Sequence, residues 1–293
     1  MGKSLLKRVT SLFAKAETRA NQPDSATNIG NQPISRTRIN EATHGLSRKY
    51  LDDNAMKVVY GLSDKGHEAY LVGGCIRDLL LGEKPKDFDV ATSAEPEVAH
   101  SVFKRSRLIG RRFKLLHVRF GREIIEVATF RAGHDSQSKE GEHGRQNSSG
   151  MITRDNVYGT LEEDAERRDF TANALYYDGN EHCIYDFCGG YEDIKNRTLK
   201  IIGNPVERYR EDPVRMLRAA RFAGKLGFTV EPRTAEPIFK LGYLLKDIAP
   251  ARLFDESLKL FQSGYGEKAF HSLQTFELFA QLYPDTQRSL EGP

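Results

Sequence analysis

The chain has 293 residues, enough for one large or two medium domains that each bury a hydrophobic core. Lysine and arginine outnumber aspartate and glutamate by 44 to 41, a balance that excludes no class of partner. No apolar run comes near the roughly 20 residues that span a bilayer, and the first residues lack an export signal. With three cysteines, this predicts a cytoplasmic protein with reduced thiols.

The N-terminal segment is predicted to be a basic amphipathic helix followed by a disordered arm. Apolar residues at helical spacing alternate with lysine and arginine over residues 3–16. This pattern suits weak contact with a membrane surface, docking on a partner, or only a frayed terminus. Residues 18–45 are too polar to bury enough apolar area to offset ordering. We therefore expect a disordered arm over residues 1–46.

The next part of the chain alternates helical and strand patterns, as in α/β domains. Ser47 is expected to cap the first helix, and Gly121 with Arg122 forms a tight turn between two strands. The polar, Gly-rich stretch over 132–150 predicts a mobile loop beside the site. The predicted helices span 47–66, 76–81, 96–104 and 161–176, and the predicted strands span 68–72, 87–90, 108–109, 114–120, 123–130 and 183–187.

From residue 205 to about residue 282 the pattern is helical. The sequence thus predicts an α/β domain over 47–203, in which helices pack on a small mixed sheet. An all-helical domain over 204–293 follows it.

Three carboxylates indicate a metal site. Asp87 and Asp89 are two residues apart, and such residues project from the same face of a strand. Glu126 lies among β-branched residues of another predicted strand, where a buried acid needs a partner. Magnesium binds carboxylate oxygens and keeps positions for water and phosphate, so three acids can hold two ions in a two-metal clamp. The alternative is a solvated turn, the more common setting of an isolated D-x-D pair.

A phosphate-binding turn is predicted just upstream. Gly73 and Gly74 follow a strand and precede a helix, so backbone N–H groups and the helix dipole point at one place. Arg77 can fork onto a triphosphate oxygen, and Asp78 can orient it. Taken alone, a Gly-Gly pair before a helix is more often only a turn.

Two further clusters lie on predicted helices. Asp169 and Asn173 are four residues apart and share one helix face, which suits contacts to a sugar hydroxyl; a salt-bridged helix is the alternative. Asp212 and Arg215 are one turn apart and can present an acceptor and a donor to the pairing edge of adenine. Ordinary surface ion pairing is the competing interpretation.

These motifs resemble those of the class II nucleotidyltransferases, the family of bacterial poly(A) polymerases and tRNA CCA-adding enzymes. The resemblance runs from about Tyr70 to Tyr265 and includes the motifs Gly73-Gly74 with Arg77-Asp78, Asp87-Phe88-Asp89, Arg167-Arg168-Asp169-Phe170-Thr171, and Glu211-Asp212 with Arg215. It implies a nucleotidyltransferase head, a helical neck and transfer of AMP from ATP to RNA 3′ ends. It also implies two Mg²⁺ ions, which Mn²⁺ can replace.

The same resemblance assigns residue roles. Asp87, Asp89 and Glu126 would be the catalytic metal ligands. Arg168 and Asp169 would contact the ribose, and Asp212 and Arg215 would read the base. The full nucleotide-binding set is Gly73, Gly74, Arg77, Asp78, Arg168, Asp169, Asn173, Asp212, Arg215 and Arg218.

The stretches 108–118, 126–131 and 209–213 resemble the poly(A) polymerase branch more than the CCA-adding branch. In this branch Arg111, Arg112 and Lys114 would give the RNA primer a cationic path; the alternative is a strand edge protected by charge. Cys75 replaces a glycine that is frequent in this branch, which would slightly restrict the phosphate turn.

Family members usually continue with further helical domains, so we expect a neck truncated at Pro293. Two rival functions remain, CCA addition to tRNA and RNA binding without turnover. The sequence predicts no oligomeric state.

Overall fold

The computed structural model describes residues 36–110, 114–132, 144–146, 152–155 and 157–292. Several predicted features fall outside these residues. They are the amphipathic helix over 3–16, the arm up to residue 35, Arg111, Arg112 and most of the polar loop over 132–150.

The last part of the predicted arm has regular structure. Thr37–Ile39 form strand β1, and Glu41–His44 form helix α1, which the Asn40 side chain caps. β1 pairs with Ile184 to Asp186, and Ile39 is buried. The expectation of disorder is therefore corrected for residues 37–44, where main-chain pairing and one buried isoleucine offset the cost of ordering a polar segment.

Eight strands form one mixed sheet. They are β1, β2 (Ala69–Val72), β3 (Asp89–Thr92), β4 (Ser106–Ile109), β5 (Leu115–Phe120), β6 (Glu123–Thr129), β9 (Leu175–Asp178) and β10 (Cys183–Asp186). Their order is β1-β10-β9-β2-β3-β6-β5-β4. β3 and β6 run parallel, so Asp89 on β3 lies beside Glu126 on β6. Two short pairs lie outside the sheet, β7 (Gly144–Gln146) with β8 (Ile152–Asp155), and β11 (Thr198–Leu199) with β12 (Thr229–Val230).

The first long helix begins later than predicted. Arg48–Tyr50 form a separate 3-10 turn, and helix α2 spans Asp53–Ser63. The Asp52 carboxylate caps α2 by accepting hydrogen bonds from the N–H groups of Asn54 and Ala55. The further helices of this region are α3 (Gly74–Leu80), α4 (Pro96–Val102), α5 (Leu161–Arg167) and α6 (Gly190–Lys195).

The predicted helix over 161–176 is wrong in its second half. α5 ends at Arg167, Thr171–Asn173 form a 3-10 turn, and β9 begins at Leu175. The guanidinium of Arg208 donates hydrogen bonds to the carbonyls of Arg167 and Arg168, which supplies partners at the helix end. Every residue of β9 is buried, as expected for a central strand covered on both faces.

The region from residue 205 is helical, as predicted. Its helices are α7 (Pro205–Glu211), α8 (Val214–Leu226), α9 (Pro232–Leu241), α10 (Pro250–Phe261), α11 (Gly266–Thr275), α12 (Leu278–Leu282) and α13 (Pro284–Glu291). One hydrophobic core extends from Leu71 and Val127 of the sheet to Leu217 and Leu273 of the helices. Within the described ranges, no helix combines the length and apolarity that crossing a membrane requires.

Candidate active site

A cleft of about 460 Å³ lies between the sheet and helices α8 and α10. Its volume is within the range of roughly 300–1,000 Å³ that accommodates small-molecule ligands. The predicted site residues that line it are Asp89, Glu126, Arg168, Asp169, Asp212, Arg215 and Arg218. The described site residues outside the lining are Gly73, Gly74, Arg77, Asp78, Asp87, Lys114 and Asn173.

Two carboxylates lie side by side at the sheet end of the cleft. Asp89 and Glu126 are paired across parallel strands, and both side chains are exposed to solvent. Asp87 is also exposed but precedes β3, which begins at Asp89. The expectation that one regular strand carries both aspartates is therefore wrong, and the paired acids come instead from neighbouring strands.

The crowding of acids changes the ionisation of Asp89. The protein around its carboxyl removes part of its hydration, which raises the pKa most, and the negative charge of Glu126 raises it further. Arg168 acts in the opposite direction, and Asp87 adds a smaller increase, so the pKa of Asp89 reaches about 6. A nearby cation would stabilise the charged form of such a carboxyl.

This donor set fits a hard divalent cation whose shell is completed by substrate. Magnesium in phosphate-transfer sites is held by one or two carboxylates together with phosphate and water oxygens. Asp89 and Glu126 provide such a pair. Across the described residues no three His, Cys, Asp or Glu side chains form a ready metal-binding group, so the expected three-carboxylate cage is not preformed.

The glycine turn leads from β2 into α3. Gly73 has a φ of 83° and a ψ of −134°, a conformation that a residue with a side chain adopts only with strain. A Cβ at Gly73 would lie 3.5 Å from Nη1 of Arg168, which lines the cleft. The turn therefore brings the backbone close to the cleft wall, at a position that only glycine occupies without strain.

Arg77 does not reach into the cleft. Its side chain is buried, and its guanidinium donates hydrogen bonds to the carboxylate of Asp78 and to Oδ1 of Asn173. Asp78 is also buried, and its second oxygen lies 3.5 Å from Nζ of Lys225. The expected contact of Arg77 with a triphosphate is therefore corrected, because this arginine has its partners inside the protein.

Asp169 is the centre of a saturated network. One oxygen accepts hydrogen bonds from the N–H of Phe170 at 2.8 Å and from Nδ2 of Asn173 at 3.0 Å. The other accepts from Nε of Arg218 at 2.6 Å. Burial alone would raise the pKa of Asp169, but the charge of Arg218 and these hydrogen bonds hold it at about 2. Asp169 and Asn173 thus meet as expected, although they do not share a regular helix.

Helix α8 joins this network to the helical region. The ring of Phe222 is buried, and the guanidinium groups of Arg77, Arg218 and Arg221 lie 5.1, 5.2 and 4.5 Å from its centroid. Arginines at this distance from a ring face form cation–π contacts. Because Arg77 belongs to α3 and the other residues to α8, these contacts fix α8 beside the glycine turn.

Two groups, Tyr176 and Asp164, hold the side chain of Arg168 in place in the cleft wall. Its Nε donates to the hydroxyl of Tyr176 at 2.8 Å, and its Nη2 lies 3.1 Å from the carboxylate of Asp164. Tyr176 in turn donates to Asp164 at 2.7 Å. Arg168 therefore presents a fixed positive charge in the cleft, close enough to Asp89 to lower its pKa.

The predicted base-reading residues are held separately. The Asp212 carboxylate accepts a hydrogen bond of 2.7 Å from Arg252 on α10, and Arg215 donates to Glu211 at 2.9 Å. Arg215 also donates to the carbonyl of Arg208 at 2.8 Å. Both side chains line the cleft at its helical end, so an acceptor and a donor are presented there by independent supports.

Arg252 and Glu256 also line the cleft and were not predicted. They are four residues apart on α10, a spacing that places both on one helix face. The sequence signal was weak, because charged residues at this spacing usually form a solvated face. Glu256 is nevertheless buried, which only packing against α8 could reveal. Three other charged residues line the cleft that were given no role from the sequence: Arg131, Asp164 and Arg167.

Lys114 lies outside the cleft. It is exposed, and its Nζ is 2.7 Å from the carboxylate of Glu97 on α4. This pair brings an acid to the place where a cationic RNA path was expected.

Comparisons with known proteins place this chain in a family. Residues 69–200 match the model described as Poly A polymerase head domain, and residues 227–290 match the one described as Probable RNA and SrmB- binding site of polymerase A. The crystal structure of the Bacillus stearothermophilus CCA-adding enzyme in complex with CTP superposes with a TM-score of 0.65 at 34% identity. The superposition covers 76% of this chain and 52% of the CCA-adding enzyme chain. The shared fold is that of a nucleotidyltransferase.

Poly(A) polymerase I of Escherichia coli O6:H1 is 54% identical over 252 residues, which are 86% of this chain and 54% of that protein. The CCA-adding enzyme of Lactobacillus helveticus is 38% identical over 239 residues, 82% of this chain and 55% of that enzyme. The chain belongs to the nucleotidyltransferase family of bacterial poly(A) polymerases and CCA-adding enzymes, which confirms the resemblance. It spans about half the length of these relatives.

Proposed function

We propose that the chain transfers AMP from ATP to the 3′ end of RNA without a template, as a polynucleotide adenylyltransferase. The observation that carries this proposal is a cleft with an acid pair, Asp89 and Glu126, at one end and a supported acceptor and donor, Asp212 and Arg215, at the other. The higher identity to a protein named Poly(A) polymerase I than to one named CCA-adding enzyme favours adenylate as the transferred group.

In the reaction, the RNA 3′ oxygen forms a bond to the α-phosphorus of ATP. The bond between that phosphorus and the oxygen bridging to the β-phosphate breaks, and pyrophosphate leaves. Asp89 and Glu126 would hold magnesium, with Asp87 beside them; we propose two ions, which Mn²⁺ can replace. When bound, these ions neutralise charge on the reacting phosphates. The acids themselves position charge and form no covalent bond with substrate.

The remaining cleft residues orient the nucleotide. Arg168 and Asp169 are proposed to contact the ribose and neighbouring phosphate oxygens, and Asp212 and Arg215 the base. Gly73 lets the triphosphate approach the backbone beside Arg168, and Gly74 continues this turn into α3. The buried residues Arg77, Asp78 and Asn173 act indirectly, by fixing Asp169. Arg218 both lines the cleft and holds Asp169.

We further propose a division into a head over 47–203 and a neck over 204–293. The family models over 69–200 and 227–290 support this division, and the description of the second supports RNA contact by the neck. Arg111, Arg112 and Lys114 are proposed to add to the RNA contacts of the head. The arm over 1–46 stays a prediction for its first 35 residues.

The direct test supplies purified protein with an oligo(A) primer and each of the four nucleoside triphosphates separately, in the presence of Mg²⁺. We expect extension with ATP and little with the others, because the supported Asp212 and Arg215 match the adenine edge. RNA binding without incorporation at any Mg²⁺ or Mn²⁺ concentration would instead indicate a binding module.

CCA addition is the second candidate, since relatives with this name share the fold and 38% identity. The discriminating experiment supplies CTP alone with tRNA that lacks its 3′ terminus. Efficient C addition would replace our proposal with this one. A failure to use CTP, together with ATP incorporation on oligo(A), supports the polymerase branch.

A further inference from the structure

The outer face of strands β4, β5 and β6 carries arginines in register with a cleft carboxylate. Glu126 on β6 pairs with His117 on β5, which pairs with Arg107 on β4, so the three side chains form one cross-strand row. Two residues further along the strands, Arg119 pairs with Ile124. Successive rows on one face are about 6.6 Å apart, since a strand rises about 3.3 Å per residue.

Arg105 extends this second row. It directly precedes β4, and its carbonyl accepts a hydrogen bond from the N–H of Arg119 at 2.9 Å. We call Arg105, Arg107 and Arg119, with the exposed Ile124, the arginine face. Leu115 and Ala128 lie on the same face at the opposite side of the Glu126 row, and both line the cleft. The arginine face therefore continues the cleft floor outward.

The three arginines are exposed, and within the described part of the chain they have no acidic partner. The cleft arginines differ in this respect, since Arg168, Arg218 and Arg252 are each paired with an aspartate. Uncompensated positive charges at short spacing repel one another, and an anionic ligand removes that repulsion.

Protection of the sheet edge does not account for this arrangement. A charge on an edge strand prevents pairing with another chain, and Arg107 on β4 meets that need because β4 ends the sheet. Arg119, however, lies on β5, which has neighbours on both sides. Edge protection therefore explains Arg107 but not Arg119.

We propose that the arginine face binds the backbone phosphates of the RNA primer just upstream of its 3′ end. This inference rests on the proposed function for the location of the 3′ hydroxyl beside Asp89 and Glu126. A polyanionic strand leaving that point meets His117 and Arg107 first, and then Arg119 and Arg105. Ile124, which is 47% exposed, offers an apolar surface to a base or sugar of the same strand. Such contacts are independent of sequence, as a polymerase without a template requires.

The test replaces all three arginines by glutamine (R105Q, R107Q and R119Q together) and measures binding of a fluorescent oligo(A) dodecamer by anisotropy. We expect affinity to fall at least about tenfold at low salt. The slope of log affinity against log salt should become shallower by about 0.7 for each phosphate that the variant no longer neutralises. The KM for ATP should stay unchanged, because none of the three residues lines the nucleotide cleft.

A matched triple variant, K49Q, K65Q and R197Q, makes the same change in net charge on other exposed residues of the head. An equal loss of RNA affinity in this control would overturn the proposal, because total charge would then explain the effect. Unchanged affinity in the arginine variant would overturn it as well. Binding is measured without turnover, so these outcomes are separate from a failure of AMP incorporation.

Primer length locates the contact. Extension of the dinucleotide ApA should respond little to the triple variant, since a primer this short barely extends past Glu126. Extension of the dodecamer should become less efficient through a higher KM for primer. An equal loss for both primers would mean that the substitutions disturb the acid pair, and would contradict a role in binding upstream phosphates.

Discussion

Two aspartates in one cleft have opposite electrostatic states. Asp89, at the sheet end, has a pKa raised to about 6, because partial loss of hydration and the charge of Glu126 disfavour its ionised form. Asp169 has a pKa held at about 2, because Arg218 and Asn173 stabilise its charge more than burial disfavours it. The negative charge of one aspartate is thus poorly compensated, and that of the other is fully compensated.

From this difference we infer that one end of the cleft takes up ligands and that the other end supports the site. Among the described residues, too little positive charge lies near Asp89 to offset the charge of Glu126, so this end is suited to take up a cation together with phosphate oxygens. The Asp169 end already contains its counter-charges, and we propose that it acts as a rigid frame for the nucleotide. Substitutions at the first end should therefore affect activity more than stability, and substitutions at the second should affect both.

The largest effect is expected for Asp89→Asn. Loss of one charge from the acid pair should reduce AMP incorporation by at least about 10³-fold, in line with the removal of a dominant electrostatic contribution. The melting temperature near neutral pH should not fall, because repulsion with Glu126 is removed. Asp64→Asn, at an exposed position at the end of α2, is the matched control and should retain activity. Near-normal activity of Asp89→Asn would remove the central assignment.

Arg218→Met should destabilise the fold by about 3 kcal/mol, since it leaves the largely buried Asp169 carboxylate, 11% exposed, without its cation. Urea denaturation near neutral pH measures this change in the free energy of unfolding. Arg233→Met, an exposed arginine on α9, serves as the control and should cost little. A destabilisation no larger than that of the control would show that the Asp169 network is not a frame.

The two aspartates should also give opposite pH dependences of stability. The folded pKa of Asp89 lies above the value of about 3.9 expected in the unfolded chain, so the folded state binds its proton more tightly. The contribution of Asp89 to the free energy of unfolding therefore rises as the pH falls from about 7 to 4. The folded pKa of Asp169 lies below the unfolded value, so its contribution is complete above about pH 4 and is lost towards pH 2.

Urea denaturation at several pH values tests this pair of signs. Between about pH 7 and 4, wild type should gain stability relative to Asp89→Asn as the pH falls. An identical pH dependence of the two proteins in that range would contradict the raised pKa of Asp89.

A smaller effect is expected at the glycine turn. Gly73→Ala and Gly82→Ala both place a side chain at positive φ, 83° and 76°, and each should cost about 1 kcal/mol of stability. Only Gly73→Ala puts a Cβ near Arg168, so only this variant should also raise the KM for ATP. Equal KM values for ATP in the two variants would contradict a role of the turn in nucleotide binding.

The smallest effect is expected for Lys225→Met. The lysine is partly exposed and lies 3.5 Å from Asp78, whose other oxygen already pairs with Arg77. The loss should be below about 1 kcal/mol, as for most solvent-accessible ion pairs. Thermal denaturation that shows a much larger loss would mean that the junction between α3 and α8 depends on this pair.

The fold class was predictable from the sequence because its apolar periodicities are regular. The strand ending at Val72 and the helical pattern from residue 205 are examples. The change from helix to strand between Arg167 and Leu175 was not, because the hydrogen bonds that end α5 come from Arg208, 40 residues later. Local sequence carries no signal for such a partner.

The candidate site was predictable as a set of motifs but not as a geometry. Arg77 has the residue type of a phosphate ligand, yet its burial against Phe222 became visible only in three dimensions. The pairing of Asp212 with Arg252 depends on how α10 packs, and sequence spacing does not encode that. Likewise, the register that puts Arg107 and Arg119 on the same sheet face as Glu126 follows from strand pairing.

The most direct test of the proposed cation-binding end is a carboxyl NMR titration of Asp89 with and without Mg²⁺, using Asp89→Asn to assign the signal. Without cation, we expect a midpoint near 6, as the crowded acid pair requires. Added Mg²⁺ should move that midpoint well downward, because the bound ion favours the ionised carboxyl. A midpoint that stays in place when Mg²⁺ is added would contradict the assignment of this end of the cleft as a metal site.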